Sequence, residues 1–183
     1  MTVVKVGGGV LENADAFDAV LAAVDAASRS RRLVVVPGGG PFADTVRAVD
    51  RRLGLSDSAA HWMAVLAMDQ FAQLIAARLA GAALVSDPRE IAAAWDAHQL
   101  PVLAPSTWLR TADPLPHSWD VTSDSIAAWI AGRVGARRLV LVKPVGVRAS
   151  RDAVDSCFAT VLPDGVEATI VGADQIDALR AAL

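Results

Sequence analysis

The residues of this sequence best suited to chemistry are two lysines and two glycine triplets. Lys5 and Lys143 are the lysines among 17 basic residues, and each lies at the end of an apolar run, close to a glycine or a proline. The triplets Gly7–Gly9 and Gly38–Gly40 each follow a β-branched run and precede a helical pattern. Lysine is a compact, mobile charge, and the amides of a glycine turn before a helix can approach an anion closely. The combination predicts a phosphate-binding site.

Each of these features also has a structural interpretation. A glycine triplet can simply permit a tight turn. Lys5 in an apolar strand either reaches water from a sheet edge or faces an anion or a carboxylate, since an isolated buried ammonium group is costly. Two triplets at neighbouring strand ends favour the ligand interpretation.

Hydroxyl and carboxyl groups are concentrated between Ser118 and Ser125, just before a helical pattern. Thr122 is expected to cap that helix, whereas Asp120 and Asp124 are placed to support the cap, to order a lysine or to hold magnesium through water. Two histidines, His61 on an apolar helix and His117 at a loop end, are candidates for acceptor binding, although a structural role is the ordinary one for such residues.

Composition and missing motifs exclude several classes of function. A net charge of −3 without a basic run argues against nucleic acid as a partner. Neither lysine lies in a Walker-type loop, and neither glycine triplet has the dinucleotide-binding pattern. No apolar stretch is long enough for a membrane span, no secretion signal is evident, and the lone Cys157 suits a reducing compartment. We therefore expect a soluble, cytoplasmic protein that acts on small molecules, without a membrane partner.

The elements that must position these groups follow from periodicity. Strand patterns alternate with helical patterns, which predicts an α/β fold with parallel pairing and with helices on both faces of the sheet. Ligands of such sheets bind at the carboxyl ends of the strands. The predicted strands are Val3–Val6, Leu33–Val36, Leu100–Ala104 and Leu139–Val142, and the main helices run through Phe17–Val24, Phe42–Leu53, Ser58–Leu79, the segment from Asp87, and Ile126–Gly135.

Two other segments have less regular patterns. Pro105–Trp119, with its prolines, is expected to be a loop, and the tail is expected to form a hairpin of Ala159–Val161 with Ala168–Val171 before a closing helix through Ile176 and Leu179. No repeat or linker interrupts the chain, so residues 1–183 are predicted to form one domain.

Three segments together resemble the amino-acid kinase superfamily, which includes acetylglutamate, uridylate and isopentenyl phosphate kinases. They are Val4–Gly8, Val35–Asp44 and His117–Ser125, in that order. Within the superfamily, the second and third segments are most similar to kinases of methanofuran and methylofuran biosynthesis. The resemblance covers Met1 to about Val142 well and Val154–Leu183 weakly. It implies a three-layer αβα sandwich and an ATP-dependent kinase of a small phosphate- or carboxylate-bearing acceptor, expected from that branch to be an aminomethylfuran-methyl phosphate.

The resemblance also implies roles for individual residues. Lys5 would stabilise charge on the transferring phosphoryl group, and Asp124 would orient this lysine. The phosphates of ATP would be held by Gly7, Gly8 and Gly9 with Thr122. The acceptor would face Gly38, Gly39 and Gly40, together with His61, His117 and Asp120. Magnesium would accompany ATP, and no set of protein metal ligands is assigned. A homodimer is expected, with a partner subunit as a further possibility.

The chain departs from the family pattern after Val142. The family continues with Thr or Ser, Asp, Val, a variable residue and Gly, but here Lys143-Pro144-Val145-Gly146 follows and the nucleotide-covering part is shortened. Three explanations stay open: Lys143 takes the role of the family's second lysine, a partner subunit completes the site, or ATP binding has been lost. The last would make the chain a noncatalytic binding or regulatory subunit.

Overall fold

The computed structural model describes residues 1–183, apart from the side chain of Arg151. Over the described residues, six strands form one sheet in the order β3-β4-β2-β1-β5-β6, and each neighbouring pair is parallel. The strands are β1 (Thr2–Val6), β2 (Leu33–Pro37), β3 (Ala82–Val85), β4 (Leu100–Leu103), β5 (Arg138–Lys143) and β6 (Glu167–Gly172). The prediction of a mainly parallel sheet is confirmed, and the sheet is parallel throughout.

Helices cover both faces of this sheet, as the three-layer prediction requires. They are α1 (Ala14–Ser28), α2 (Gly40–Leu53), α3 (Asp57–Arg78), α4 (Pro88–Asp96), α5 (Ser106–Ala112), α6 (Ser123–Arg133), α7 (Phe158–Val161) and α8 (Ile176–Ala182), with short 3-10 helices at Gly8–Glu12 and Arg151–Ala153. The central strands β1 and β2 are buried along their length and, apart from Thr2 and Lys5, apolar, because helices cover both faces of the sheet.

Alternate residues of each strand face two separate cores. Val4 and Val6 of β1 pack with Phe17 of α1 and with α8, whereas Val3 packs with Ile130 of α6 and with α4. Helix α3 contributes to both cores, with Phe71 and Ile75 in the first and Val65 and Met68 in the second. Because side chains alternate along a strand, Lys5 lies on the same face of β1 as Val3, which is the face that α6 covers.

Local signals set several helix ends, among them the predicted cap at Thr122. The side chains of Asn13 and Thr122 accept hydrogen bonds from the amides of Ala16 and Asp124, which begins α1 and α6. Gly54 ends α2 with φ 64°, the left-handed conformation that glycine adopts without strain.

Two predictions of local structure were wrong. The segment Pro105–Trp119 is not all loop, because α5 forms within it; Asp69 of α3 accepts hydrogen bonds from the amide and the hydroxyl of Ser106 and so begins this helix from a distant part of the chain. The tail does not form a hairpin. Phe158–Val161 is a helical turn with Phe158 buried, and β6 runs parallel to β5. The short strand β3 was not predicted, since Ala82–Val85 contains a single β-branched residue.

Candidate active site

Two buried lysines meet one buried aspartate at the carboxyl end of the sheet. The ammonium group of Lys5 lies 2.9 Å from Oδ1 of Asp124, and that of Lys143 donates a hydrogen bond of 2.6 Å to Oδ2. Relative exposures are 4% for Lys5, 8% for Lys143 and 4% for Asp124. Pairing of β1 with β5 brings the lysines together, and the first turn of α6 supplies the carboxylate. We call these three residues the Lys–Asp–Lys triad.

The triad is electrically asymmetric, because two ammonium groups share one carboxylate. Burial alone would raise the pKa of Asp124, but the charges of Lys5 and Lys143 outweigh it and hold that pKa below its ordinary value. Burial and the charge of Lys5 lower the pKa of Lys143, although Asp124 and Asp155 oppose this shift. A dianionic phosphate beside the triad would relieve the excess positive charge.

The two glycine triplets pack against each other beside the triad. The amide of Gly7 donates to the carbonyl of Val142, and that of Gly38 donates to the carbonyl of Val6. A Cβ atom on Gly8 would collide with the backbone of Gly40, and one on Gly38 would lie 2.7 Å from the nitrogen of Gly8. Close approach of the two turns therefore requires glycine whether or not a ligand is bound.

A pocket of about 260 Å³ opens above the triad, where the strand ends meet the first turns of α2 and α6. Its floor is formed by Lys5, Lys143 and Asp124. Seven of the residues predicted to bind the nucleotide or the acceptor also line this pocket, namely Gly7, Gly8, Gly9, Thr122, Gly39, Gly40 and His61. The structure thus brings both glycine turns and both lysines to one cavity.

Three predicted acceptor residues are not among those that line this pocket over the described part of the chain. Gly38 is buried beneath it, with its amide bonded to Val6. Asp120 is exposed, and its amide donates to the hydroxyl of Ser118. His117 lies behind His61, with the two imidazole rings stacked 4.3 Å apart between centroids.

The histidine pair is held in place from several sides. His117 contacts the carboxylate of Asp113 at 2.8 Å and the hydroxyl of Ser58 at 3.1 Å. Trp62 meets both imidazoles edge-on. Burial and the neighbouring His117 lower the pKa of His61, with Asp113 acting in the opposite direction. His61 therefore faces the pocket as a neutral imidazole at pH 7.

Other pocket residues were not assigned from the sequence. Trp119 lines the pocket, its indole nitrogen donates to Asp50, and the guanidinium of Arg47 lies 4.8 Å from its ring centroid. Asp44 and Asp57 also line the pocket. Trp119 belongs to a segment already singled out, but its partners on α2 are about 70 residues away and leave no local signal.

Asp155 was also missed, although it accepts more hydrogen bonds from the start of α6 than the predicted cap Thr122 does. Its carboxylate accepts hydrogen bonds from the amides and the hydroxyls of both Thr122 and Ser125. Nothing in the local sequence around Asp155 indicates this, because its partners lie 30 to 33 residues earlier.

None of the helices in the described chain is long and apolar enough to cross a membrane.

Comparison with known proteins identifies similar sequences and folds. A model of the amino acid kinase family matches residues 1–147. A relative named (5-(aminomethyl)furan-3-yl)methyl phosphate kinase, from Methanocaldococcus jannaschii, is 31% identical over 148 residues, which are 79% of this chain and 66% of that protein, slightly less than two thirds. UMP kinase from Ureaplasma parvum superposes with a TM-score of 0.76 at 15% identity, over 100% of this chain and 95% of its own. UMP kinase from Bacillus anthracis gives a TM-score of 0.73 at 11% identity, over 98% and 89%. These structural similarities concern the fold.

Proposed function

Because the chain belongs to the amino acid kinase family, we propose that it transfers a phosphoryl group from ATP to a small acceptor bearing a phosphate or carboxylate. The observation that carries this proposal is the buried Lys–Asp–Lys triad on the floor of a pocket with two glycine turns. Two buried lysines sharing one carboxylate are costly to keep unless an anion completes them.

The triad suits phosphoryl transfer because that reaction needs positioning and positive charge more than covalent help. Lys5 and Lys143 would neutralise the charge that spreads over the transferring oxygens. Asp124 would hold the two ammonium groups at a fixed separation and would not itself react. In this proposal Lys143 takes the role of the family's second lysine, at the end of β5.

The nucleotide phosphates are proposed to lie over Gly8 and Gly9, since the Gly7 amide is already bonded to Val142 and both the amide and the hydroxyl of Thr122 donate to Asp155. Mg²⁺ would enter with ATP, because this ion prefers phosphate oxygens and retained waters to an all-protein cage. When bound, it would neutralise charge on the nucleotide phosphates.

The acceptor is proposed to be aminomethylfuran-methyl phosphate, which would place the protein in methylofuran or methanofuran biosynthesis. The name of the relative from Methanocaldococcus jannaschii supports this choice, although the match spans 66% of that protein. The acceptor phosphate would lie near Gly39 and Gly40. His61 and Trp119 offer aromatic surfaces for a flat ring.

A noncatalytic binding or regulatory subunit is the second candidate. It is favoured by one observation, namely that Lys143-Pro144-Val145-Gly146 follows Val142 where the family continues with Thr or Ser, Asp, Val, a variable residue and Gly. Self-association and a partner subunit stay predictions, and the mass of the purified protein in solution tests them.

The first experiment is calorimetric titration of the purified protein with Mg²⁺ and ATP or a nonhydrolysable analogue. Binding that weakens tenfold or more in Lys5→Ala, and not in Arg180→Ala, supports the kinase; Arg180 is an exposed cation paired with Asp177. No binding at millimolar nucleotide would favour the noncatalytic subunit.

A second experiment tests the substrate by measuring ADP release with the furan phosphate as acceptor. If neither the protein alone nor its mixture with copurifying proteins turns over this phosphate, the proposed substrate is contradicted.

A further inference from the structure

We propose that Asp155 is a positioning residue, which fixes the first turn of α6 so that Asp124 can reach both lysines. Its importance for turnover rests on the proposed function, whereas its effect on the geometry of the triad does not. Asp155 lies beyond residue 147, where the match to the family model ends.

The contacts of Asp155 converge on the helix turn that carries Asp124. Oδ2 accepts from the amide of Thr122 at 2.9 Å, from its hydroxyl at 2.7 Å and from the amide of Ser125 at 3.1 Å. The hydroxyl of Ser125 donates to Oδ1. Thr122 and Ser125 flank Asp124 on both sides, so one carboxylate holds the backbone on either side of the catalytic candidate.

An ordinary helix cap does not require this arrangement. Thr122 already accepts a hydrogen bond from the amide of Asp124 and would begin the helix without help from the tail. The turn held by Asp155 is instead buried, with Ser125 at 0% and Asp124 at 4% exposure. Charge-assisted hydrogen bonds from two amides and two hydroxyls fix its position more firmly than a local cap would.

Asp155 also acts on the triad through its charge. The groups that face Lys143 are Lys5 on β1, Asp124 on α6 and Asp155 in the tail. Lys5 and burial lower the pKa of Lys143, whereas Asp124 and Asp155 raise it. Removal of the Asp155 charge is therefore expected to move Lys143 further toward its neutral form.

The test uses the two lysines as spectroscopic probes, since the chain contains no others. Lysine labelled with ¹³C at Cε gives one signal for Lys5 and one for Lys143, assigned by loss of a signal in Lys143→Arg. The variant is Asp155→Asn, and the control is Asp164→Asn, which removes the same charge from an exposed turn.

We expect Asp155→Asn to lower the titration midpoint of Lys143 and to speed hydrogen exchange at the Ser125 amide about tenfold or more, because its acceptor is weakened. Asp164→Asn should change neither. Ser125→Ala removes one donor to Asp155 and favours helix, and it should lower the titration midpoint of Lys143 by less than Asp155→Asn does. This variant also provides the test if Asp155→Asn does not fold.

In turnover, a positioning role predicts that Asp155→Asn lowers kcat by about ten- to a hundredfold while KM changes less than about threefold, since small misplacements of catalytic groups are costly. Asp155→Glu should recover part of kcat. Faster exchange at Ser125 with unchanged lysine signals in both variants would overturn the proposal and leave only a helix cap. A wild-type protein without turnover but with lysine signals that depend on Asp155 would instead contradict the kinase and preserve this inference.

Discussion

At the residue scale, the Lys–Asp–Lys triad joins the chemistry of the site to the stability of the fold. Its three groups are almost fully buried, so each depends on the others for compensation of its charge. Removing one member of such a cluster destabilises the fold more than replacing the whole cluster by apolar residues would, because the remaining charges are left buried without a partner.

Asp124→Asn should therefore lower the free energy of unfolding by about 3–5 kcal/mol at pH 7. Urea unfolding measures this. Asp177→Asn, which breaks the exposed pair with Arg180, is the matched control and should leave the unfolding midpoint unchanged. Equal effects of the two substitutions would contradict a buried role for Asp124.

Acid should reveal the same triad. The folded pKa of Asp124 lies below its ordinary value of 3.8, so the stabilisation is complete above pH 3.8 and is lost as the pH falls through the folded pKa. Urea unfolding between pH 5 and pH 3 should show a steeper loss in the wild type than in Asp124→Asn. Parallel curves would show that Asp124 titrates normally.

His61 should produce a second pH dependence at higher pH. Its folded pKa lies below the ordinary 6.5, so the unfolded chain takes up a proton first and the free energy of unfolding falls as the pH drops below 6.5. His61→Gln should flatten this part of the curve. His98→Asn, which replaces an exposed histidine with φ 56°, is the control and should retain the fall in the free energy of unfolding below pH 6.5. If the curve is flattened in both variants, the fall does not come from His61.

At the element scale, the site exists because two strand-to-helix turns approach more closely than side chains permit. The turn after β1 and the turn after β2 meet through glycine backbone, and this brings the starts of the 3-10 helix and of α2 to the same cavity. The glycines thus support the site through packing, and phosphate binding is an additional role that we propose.

Gly8→Ala should destabilise the protein by about 1–3 kcal/mol, because the added Cβ atom meets the backbone of Gly40, which cannot move aside as a flexible side chain would. Gly81→Ala is the control, since a Cβ atom there meets nothing within 4 Å. Thermal or urea unfolding compares them. A Gly8→Ala variant as stable as Gly81→Ala would show that the turns can separate.

At the scale of the whole molecule, the tail beyond the family match is part of the core. β6 extends the sheet beside β5, and α8 packs on α1 with Leu179 and Leu183 fully buried. The tail also supplies Asp155 to the site. It therefore contributes both to stability and to the position of the triad.

Leu179→Ala should lower the free energy of unfolding by about 2–5 kcal/mol, as expected for loss of a fully buried leucine side chain. Leu53→Ala is the control, because Leu53 is 64% exposed. Urea unfolding of both variants tests the claim. Similar small effects would mean that α8 is not part of the cooperative core.

The sequence alone determined the α/β architecture and predicted where the candidate site lies. Apolar strands such as β1 and β2, each followed by glycines and a helix, allow few alternatives to a parallel sheet with its ligand edge at the strand ends. Lys5, Gly7 and Gly39 could be chosen for the same reason, since their meaning depends on near neighbours in the chain.

Segments governed by distant contacts were predicted less well. The first residue of α5 donates a hydrogen bond to Asp69, which lies on α3. The tail strand β6 pairs parallel with β5, where a hairpin was expected. Neither has a local pattern strong enough to decide its structure, so tertiary contacts decided it.

Only the tertiary structure decided which charged groups meet at the candidate site. Lys143 is 138 positions from Lys5, and Asp155 lies 30 to 33 positions from the turn it holds, yet sheet pairing and helix packing bring them together. Side-chain periodicity reports which face of an element is buried. It does not report which groups from other elements will meet there, because those distances are set by the packing of the whole chain.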